Sequence, residues 1–145
     1  MHALNLVVTG HVQAVGFRPF VYRLAHRHGL HGWVQNQTGQ VEILIQGAAE
    51  AVAKFEADLL GCAPPLSRPT VARRVAVAPG GYQDFAIKPS AAAAKPRIFV
   101  PPDYFMCGEC RIELDDPGDR RFHYPFINCT QCGPRYTLIR ALPYD

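Results

Sequence analysis

The amino-acid sequence predicts an α+β fold: a ferredoxin-like βαββαβ sandwich followed by a small segment that holds a metal ion through four cysteines. Strand-like and helix-like apolar patterns alternate over roughly the first 90 residues. Two C-x2-C pairs come later in the chain, and a proline-bounded alanine tract separates the two parts. We therefore expect an α/β domain over residues 1–90, a linker over residues 91–102 and a four-cysteine zinc-finger segment over residues 103–145.

The first strand and the first helix flank a loop that contains glycine. Residues 4–9 form a short apolar run that Gly10 interrupts, which predicts a strand and then a turn. From Phe17 onward, apolar residues recur at the spacing of one helix face, and Pro19 is tolerated in the first turn. Gly29 ends this helix. The predicted stripe consists of Phe17, Phe20, Val21, Leu24, Ala25 and His28.

Four further strands and a second helix complete the predicted domain. Residues 32–35 predict a strand, residues 36–39 supply turn chemistry, and Val41, Ile43 and Ile45 alternate with the polar Glu42 and Gln46 as the partner strand of a hairpin. The remaining elements are a helix with Val52, Phe55 and Leu59 on one face, a strand with Val71, Val75 and Val77, and a short last strand at Phe85 and Ile87.

Composition and charge limit the classes of function. The chain is 48% apolar and 19% charged, which is typical of a folded protein. Its net charge of +3 suits an anionic small molecule but is weaker than the clustered basic excess of most nucleic-acid binders. We interpret the arginine pairs at residues 73–74 and 120–121 as solvated surface. Without a targeting segment or a long apolar run, we expect a cytoplasmic protein with neither nucleic acid nor a membrane as a partner.

Four of the five cysteines have the arrangement of a metal site. Cys107 and Cys110 form one C-x2-C pair, Cys129 and Cys132 form the other, and 18 residues separate the pairs. This spacer lies in the range of four-cysteine zinc sites, roughly 15 to 20 residues. Four thiolates leave no position for water, so we expect a structural zinc that supplies folding energy to a small segment. Rubredoxin-type iron and disulfides remain the alternatives.

Two other residues with metal-binding or nucleophilic side chains receive no role. Cys62 lies between Gly61 and Ala63, and we interpret it as an inert loop thiol. His123 lies between the two cysteine pairs and is able to compete as a ligand, but four thiolates already complete a tetrahedral set.

The loop before the first helix has features of an anion site. Residues 10–19 contain two glycines and run into a helix N-terminus, where unpaired N–H groups and the helix dipole favour an anion. Arg18 adds a planar guanidinium that matches phosphate oxygens. On these features alone, an ordinary loop with a solvated arginine is the more common case.

This loop and the second strand together resemble the acylphosphatase family. Residues 12–18, Val-Gln-Ala-Val-Gly-Phe-Arg, are similar to that family's V-Q-G-V-G-F-R signature, and residues 32–36 resemble its G-W-V-x-N strand. The resemblance implies that Arg18 and Asn36 are catalytic, with Arg18 binding the phosphate and Asn36 holding the attacking water. It also implies a phosphate cradle made of Gln13, Ala14, Val15, Gly16, Phe17 and Arg18. Such chemistry requires neither a metal nor a nucleophilic side chain, because an acyl phosphate carries a good leaving group.

Ala14 departs from the signature, which has glycine at this position. If the backbone there needs a positive φ, alanine costs about 1 kcal/mol or more; otherwise the change is nearly silent.

The two halves together resemble a more specific family, the HypF-type carbamoyltransferases that mature nickel–iron hydrogenases. Residues 18–25 extend the signature in that family's manner, the cysteines have its C-x2-C-x18-C-x2-C spacing, and residues 116–128 and 133–137 are similar to its finger. The resemblance implies the N-terminal fragment of a longer protein, with a second finger and transferase domains beyond Asp145. Members use carbamoyl phosphate and ATP and pass the carbamoyl group to a HypE-type partner protein, where it becomes the cyanide-ligand precursor.

The chain itself lacks a G-x4-G-K-S/T nucleotide motif, so we do not expect the ATP-dependent step within these 145 residues. We expect this part to bind or hydrolyse acyl or carbamoyl phosphate and to hold structural zinc. Two other functions remain open. One is a free-standing acylphosphatase with a structural finger. The other is a zinc-dependent module that binds nucleic acid or protein, although the acidic residues between positions 109 and 119 disfavour a phosphate backbone.

Overall fold

In a computed structural model, which describes residues 1–91, 106–124 and 129, the chain has the predicted α+β fold. Its elements are β1 (His2–His11), α1 (Phe17–Arg27), β2 (His31–Gln37), β3 (Gln40–Gly47), α2 (Ala49–Gly61), β4 (Arg68–Val77), β5 (Phe85–Lys88) and α3 (Gly108–Asp115). The βαββαβ order with one added strand confirms the predicted sandwich. Of the expected linker, only residue 91 lies within the described part of the chain.

The five strands form one sheet in the order β4-β1-β3-β2-β5. β1 pairs antiparallel with both β3 and β4, and β2 pairs antiparallel with β3. β5 adds to the free edge of β2 in the parallel direction. The pairing continues past β5, because the Ala91 N–H donates to the Asn36 carbonyl oxygen at 2.9 Å. The end of β2 is therefore bordered by chain on both sides.

One face of the sheet packs against α1 and α2 to form the core. Period-two alternation puts Leu6 and Val8 of β1 and Ile43 of β3 on this face, where each is fully buried. The helices bury the predicted stripes: Phe17, Val21, Leu24 and Ala25 from α1, and Val52, Phe55 and Leu59 from α2. Burial of each large apolar side chain contributes about 1.5–3 kcal/mol, so this shared core is the main stabilising term.

β2 extends two residues beyond its predicted end. Asn36 pairs with Val41 and Gln37 with Gln40, so only Thr38 and Gly39 form the turn. A two-residue hairpin turn needs left-handed backbone, which Gly39 supplies with φ 73°. As a result Asn36 lies on a strand, on the same sheet face as the buried Val34.

The residues around the cysteines form a second, smaller cluster. Cys110 and Cys129 are buried, and Leu66, Met106 and Leu114 pack against them. Leu66, in the connection between α2 and β4, also packs against the core of the sandwich. A single side chain therefore contacts both clusters. In the described residues, no helix has the length and hydropathy needed to span a bilayer.

Candidate functional site

The β1–α1 loop (residues 12–16) buries apolar side chains and presents backbone amides. Val12 and Val15 are no more than 2% exposed and belong to the core, as does Phe17 at the start of α1. Within residues 1–91, 106–124 and 129, no backbone carbonyl accepts from the N–H groups of residues 13–16. The positive end of the α1 dipole adds to these donors. The loop thus has the chemical features of an anion site made from backbone.

Two residues of the β1–α1 loop have left-handed backbone. Gly16, which caps α1, has φ 71°, and Ala14 has φ 60°. Glycine reaches this region without steric cost, whereas a Cβ costs about 1–2 kcal/mol. The backbone at position 14 therefore has the positive φ at which alanine, in place of the signature's glycine, is strained. Ala14 is also buried, at 8% exposure, so its methyl group cannot relax freely into solvent.

Arg18 and Asn36 lie side by side next to this loop. Arg18 is in the first turn of α1 and is partly exposed, whereas Asn36 on β2 is only 5% exposed. With the amide oriented so that its oxygen faces the guanidinium, Asn36 Oδ1 accepts from Arg18 Nε at 3.0 Å and from Nη2 at 3.3 Å. A residue of the sheet therefore orients the guanidinium of the helix.

A cleft of about 350 Å³ opens beside Arg18. Its lining residues are Arg18, Pro19, Ile87, Lys88 and Pro89. The wall that follows β5 is held against β2, because Gln35 Nε2 donates to the Pro89 carbonyl oxygen at 2.8 Å. The volume lies within the range of small-molecule sites, roughly 300–1,000 Å³. Sequence reasoning did not identify this wall, because no motif marks Ile87 or Pro89.

Gln13 uses its side chain away from the predicted cradle. Its Nε2 donates to the carbonyl oxygens of Gln37, at 2.7 Å, and Gln40, at 3.1 Å. Both N–H donors of the amide are engaged there, so any hydrogen bond that Gln13 donates to an anion comes from its backbone. The sequence motif does not reveal this contact, since it depends on how the hairpin folds back.

Three of the four predicted metal ligands come together. The Sγ atoms of Cys107, Cys110 and Cys129 all lie within 4.8 Å of one another. Cys107 caps α3 and Cys110 is in its first turn, so the C-x2-C spacing directs both sulfurs to the same side. Tetrahedral ligands at a metal–sulfur distance of about 2.3 Å are roughly 3.8 Å apart, so the three thiols fit one ion such as zinc. Cys132 lies outside the described residues.

Cys62 and His123 lie outside the group of three clustered thiols. Cys62 is exposed at the C-cap of α2 and is not among the clustered sulfurs. His123 is exposed and stacks on Phe122 with a centroid distance of 3.9 Å. Among the residues described, neither contributes an atom to the potential metal site.

Comparison with known proteins matches both parts of the chain. Residues 4–87 match the acylphosphatase family, and residues 106–139 match the HypF finger. Carbamoyltransferase HypF of Synechocystis sp. is 47% identical over 148 aligned residues, which cover 100% of this chain and 19% of that protein. Carbamoyltransferase HypF2 of Cupriavidus necator is 46% identical over 144 residues, covering 98% of this chain and 18% of that protein. The chain thus spans about a fifth of the length of these relatives.

Solved structures agree with these matches. The crystal structure of full-length HypF in the phosphate- and nucleotide-bound form superimposes with a TM-score of 0.83 at 37% identity, covering 99% of this chain and 19% of the other. Acylphosphatase from Bacillus subtilis superimposes with a TM-score of 0.53 at 33% identity, covering 61% of this chain and 99% of the other. The similarity to the shorter protein covers only part of this chain, whereas the similarity to HypF extends over nearly all of it.

Proposed function

The chain belongs to the acylphosphatase family through residues 4–87 and continues into a HypF finger, and we propose on this basis that it hydrolyses acyl phosphates. Binding and hydrolysis would take place at the β1–α1 loop. The observation that carries this proposal is the position of Arg18 and Asn36 beside a loop in which the backbone N–H groups of residues 13–16 have no carbonyl partners in the described residues. Phosphate is the part that all such substrates share, and carbamoyl phosphate belongs to the same class.

The proposed mechanism depends on placement and on charge. The phosphoryl oxygens accept from the N–H groups of Gln13, Ala14, Val15, Gly16 and Phe17 and from the guanidinium of Arg18. The Asn36 side chain, next to that guanidinium, positions water for attack on phosphorus. As the water oxygen adds to phosphorus, the P–O bond to the acyl group breaks and the carboxylate or carbamate leaves with the electron pair. The proton that the water loses passes to a phosphate oxygen. Because the leaving group is stable without protonation, the site needs preorganised donors and no acid.

At the finger we propose a structural zinc held by Cys107, Cys110, Cys129 and Cys132. The mutual approach of three thiols and the match to the HypF finger support it. Four thiolates leave no open coordination position, so the ion, when bound, supplies folding energy and takes no part in hydrolysis. The protein's own contribution is a buried environment, in which Leu66 and Leu114 pack against Cys110 and Cys129.

The wider reaction is proposed from the relatives. The natural protein would continue past Asp145 into a second finger and transferase domains, which use ATP and carbamoyl phosphate in hydrogenase maturation and meet a HypE-type partner. The support is the 47% identity to a carbamoyltransferase over the whole chain, which covers 19% of that protein. A cytoplasmic location fits the need for reduced thiols. A native reading frame that stops directly after Asp145 would reject this wider role and favour a free-standing acylphosphatase.

The hydrolase proposal is tested by phosphate release from acetyl, benzoyl and carbamoyl phosphate with the purified 145-residue chain. We expect saturable hydrolysis and competitive inhibition by inorganic phosphate. Absence of release above the uncatalysed rate for all three compounds would reject it. The same preparation, titrated with nucleic acid at two salt concentrations, tests the alternative of a binding module, which should show salt-dependent binding.

A further inference from the structure

The side chain of Gln13 connects the β1–α1 loop to the turn of the β2–β3 hairpin. Its amide nitrogen donates to the carbonyl oxygens of Gln37 and Gln40, which flank that turn. The turn is itself tied together, because Gln40 Nε2 donates to Gln37 Oε1 at 3.0 Å. One side chain thus joins two segments that are distant in sequence, and it uses both of its donors to do so.

These two segments carry the two halves of the proposed site. The β1–α1 loop supplies the backbone donors for the phosphoryl group, and Asn36 directly precedes Gln37 on β2. The carbonyl that Gln13 binds at 2.7 Å therefore belongs to the residue next to the proposed water-positioning amide. A shift of the hairpin end changes the distance between Asn36 and an anion in the loop. A misplacement of about 1 Å is enough to cost as much as a hundredfold in rate.

Gln13 also precedes the strained residue of the loop. Ala14 has φ 60°, and such backbone persists only where its surroundings hold it. On the C-terminal side, the buried Val15 anchors the chain in the core. On the N-terminal side, the two hydrogen bonds of Gln13 provide the corresponding anchor.

We infer that Gln13 is a positioning residue, whose side-chain amide holds the phosphate-binding loop at a fixed distance from Asn36. The inference rests on the proposed function, since it concerns the same site. Its side chain reaches no reacting atom and acts through the loop and the hairpin. Loss of the side-chain amide should therefore impair turnover more than phosphate binding, because phosphate keeps the N–H donors of the loop even where Asn36 and the guanidinium that it orients are displaced.

Two substitutions and one matched control test the inference by kinetics. Gln13→Met keeps the length of the side chain and removes both donors, and Gln13→Glu places a carboxylate against two carbonyl oxygens. Gln83→Met changes an exposed glutamine in the connection between β4 and β5. Both Gln13 variants should lower kcat for benzoyl phosphate by about ten- to hundredfold. The inhibition constant of inorganic phosphate should change by less than about threefold, and Gln83→Met should change neither quantity.

A measurement without turnover separates this inference from the proposed function. In amide NMR spectra of the full chain, inorganic phosphate should shift the backbone signals of residues 14–17 in the parent and in Gln13→Met alike. The side-chain signals of Asn36 should shift clearly less in Gln13→Met than in the parent. A parent that releases no phosphate from substrate refutes the hydrolase proposal, and the spectra still decide the role of Gln13. Equal Asn36 shifts in parent and variant, or an unchanged kcat in Gln13→Met, would overturn the inference. If Gln13→Met fails to fold, Gln13→Asn, which retains the amide one methylene short of the turn, takes its place in both measurements.

Discussion

With its oxygen facing α1, the Asn36 amide accepts two hydrogen bonds from Arg18 across the boundary between helix and sheet, at 3.0 Å and 3.3 Å. The guanidinium lies on α1 and the amide on β2, so the packing of these two elements sets the geometry of the pair. One consequence is that substitution of either residue also alters the orientation of the other. The effects of Arg18 and Asn36 variants on hydrolysis should therefore not be additive.

Removal of the Arg18 guanidinium should nearly abolish hydrolysis. Loss of one preorganised donor to a developing charge typically costs ~3 kcal/mol, so Arg18→Ala should lower kcat/KM for acyl phosphates at least about a hundredfold. Arg18→Lys should recover little, because an ammonium cannot reproduce the planar fork. Steady-state phosphate release measures both. Arg23→Ala, at an exposed arginine of the same helix, is the matched control and should retain full activity. An Arg18→Ala variant that hydrolyses benzoyl phosphate as fast as the parent would exclude this site.

Two substitutions of Asn36 should separate water placement from phosphate binding. Asn36→Ala removes the amide and should lower kcat, while the inhibition constant of phosphate changes only a few-fold. Asn36→Asp has the same shape but places a carboxylate against the Arg18 guanidinium. It should therefore weaken phosphate inhibition as well, because the anion must compete with a fixed negative charge. Inhibition constants and kcat for both variants provide the check. Equal phosphate inhibition in the two variants would contradict the pairing of Arg18 with Asn36.

Glycine at position 14 should relieve backbone strain. Ala14 has φ 60°, so Ala14→Gly should raise the free energy of unfolding by up to about 1 kcal/mol, the difference between removed strain and added chain entropy. Ala53→Gly, at an exposed position inside α2, should lower it by about 0.5–1 kcal/mol. Urea unfolding followed by circular dichroism measures the change in the free energy of unfolding for both variants. If Ala14→Gly destabilises as much as the control does, the loop backbone is unstrained. Higher activity of Ala14→Gly would link the strain to catalysis.

Metal content should follow the clustered thiols. We expect about one zinc per chain, near zero after Cys129→Ser and unchanged after Cys62→Ser, because Cys62 is exposed and outside the cluster. Elemental analysis of the purified proteins makes the measurement. The Cys129→Ser protein should also lose structure around α3, since the ion supplies folding energy there. Full retention of zinc in Cys129→Ser would exclude the proposed ligand set.

Local patterns in the sequence predicted the elements of the fold, whereas contacts between distant segments were not accessible in this way. The helix stripes and the alternation of β3 follow from periodicity, and both are present. Gln46 is an instructive exception, because its alternation with Ile45 indicated an outward polar residue. It is 1% exposed, and its amide donates to the carbonyl oxygens of Gly80 and Tyr82 at 3.0 and 3.1 Å. The loop before β5 covers that position, and only the tertiary fold reveals this.

The candidate site shows the same division. Family motifs identified Arg18 and Asn36 separately, but their mutual hydrogen bonds depend on how α1 crosses β2. The arginine pair at residues 73–74 is exposed as predicted, yet Arg74 donates to both carboxylate oxygens of Glu56, at 2.7 and 3.1 Å. This ion pair raises the pKa of Arg74 above its usual value. The sequence predicted that the two arginines are exposed, whereas the partner of Arg74, Glu56, lies on another element, α2.

Leu66 packs against both the sandwich core and the buried cysteines. This double contact bears on the order in which the parts of the chain acquire structure. The five strands of the sheet that the structure describes lie within residues 2–88, so the sandwich can close during synthesis before Cys107 has left the ribosome. The surface around Leu66 then exists first, and the cysteine segment assembles on it when metal arrives. Until that moment the apolar neighbours of Leu66 are those of the sandwich core alone. Metal supply would thus govern how long a nascent chain exposes this leucine to chaperones.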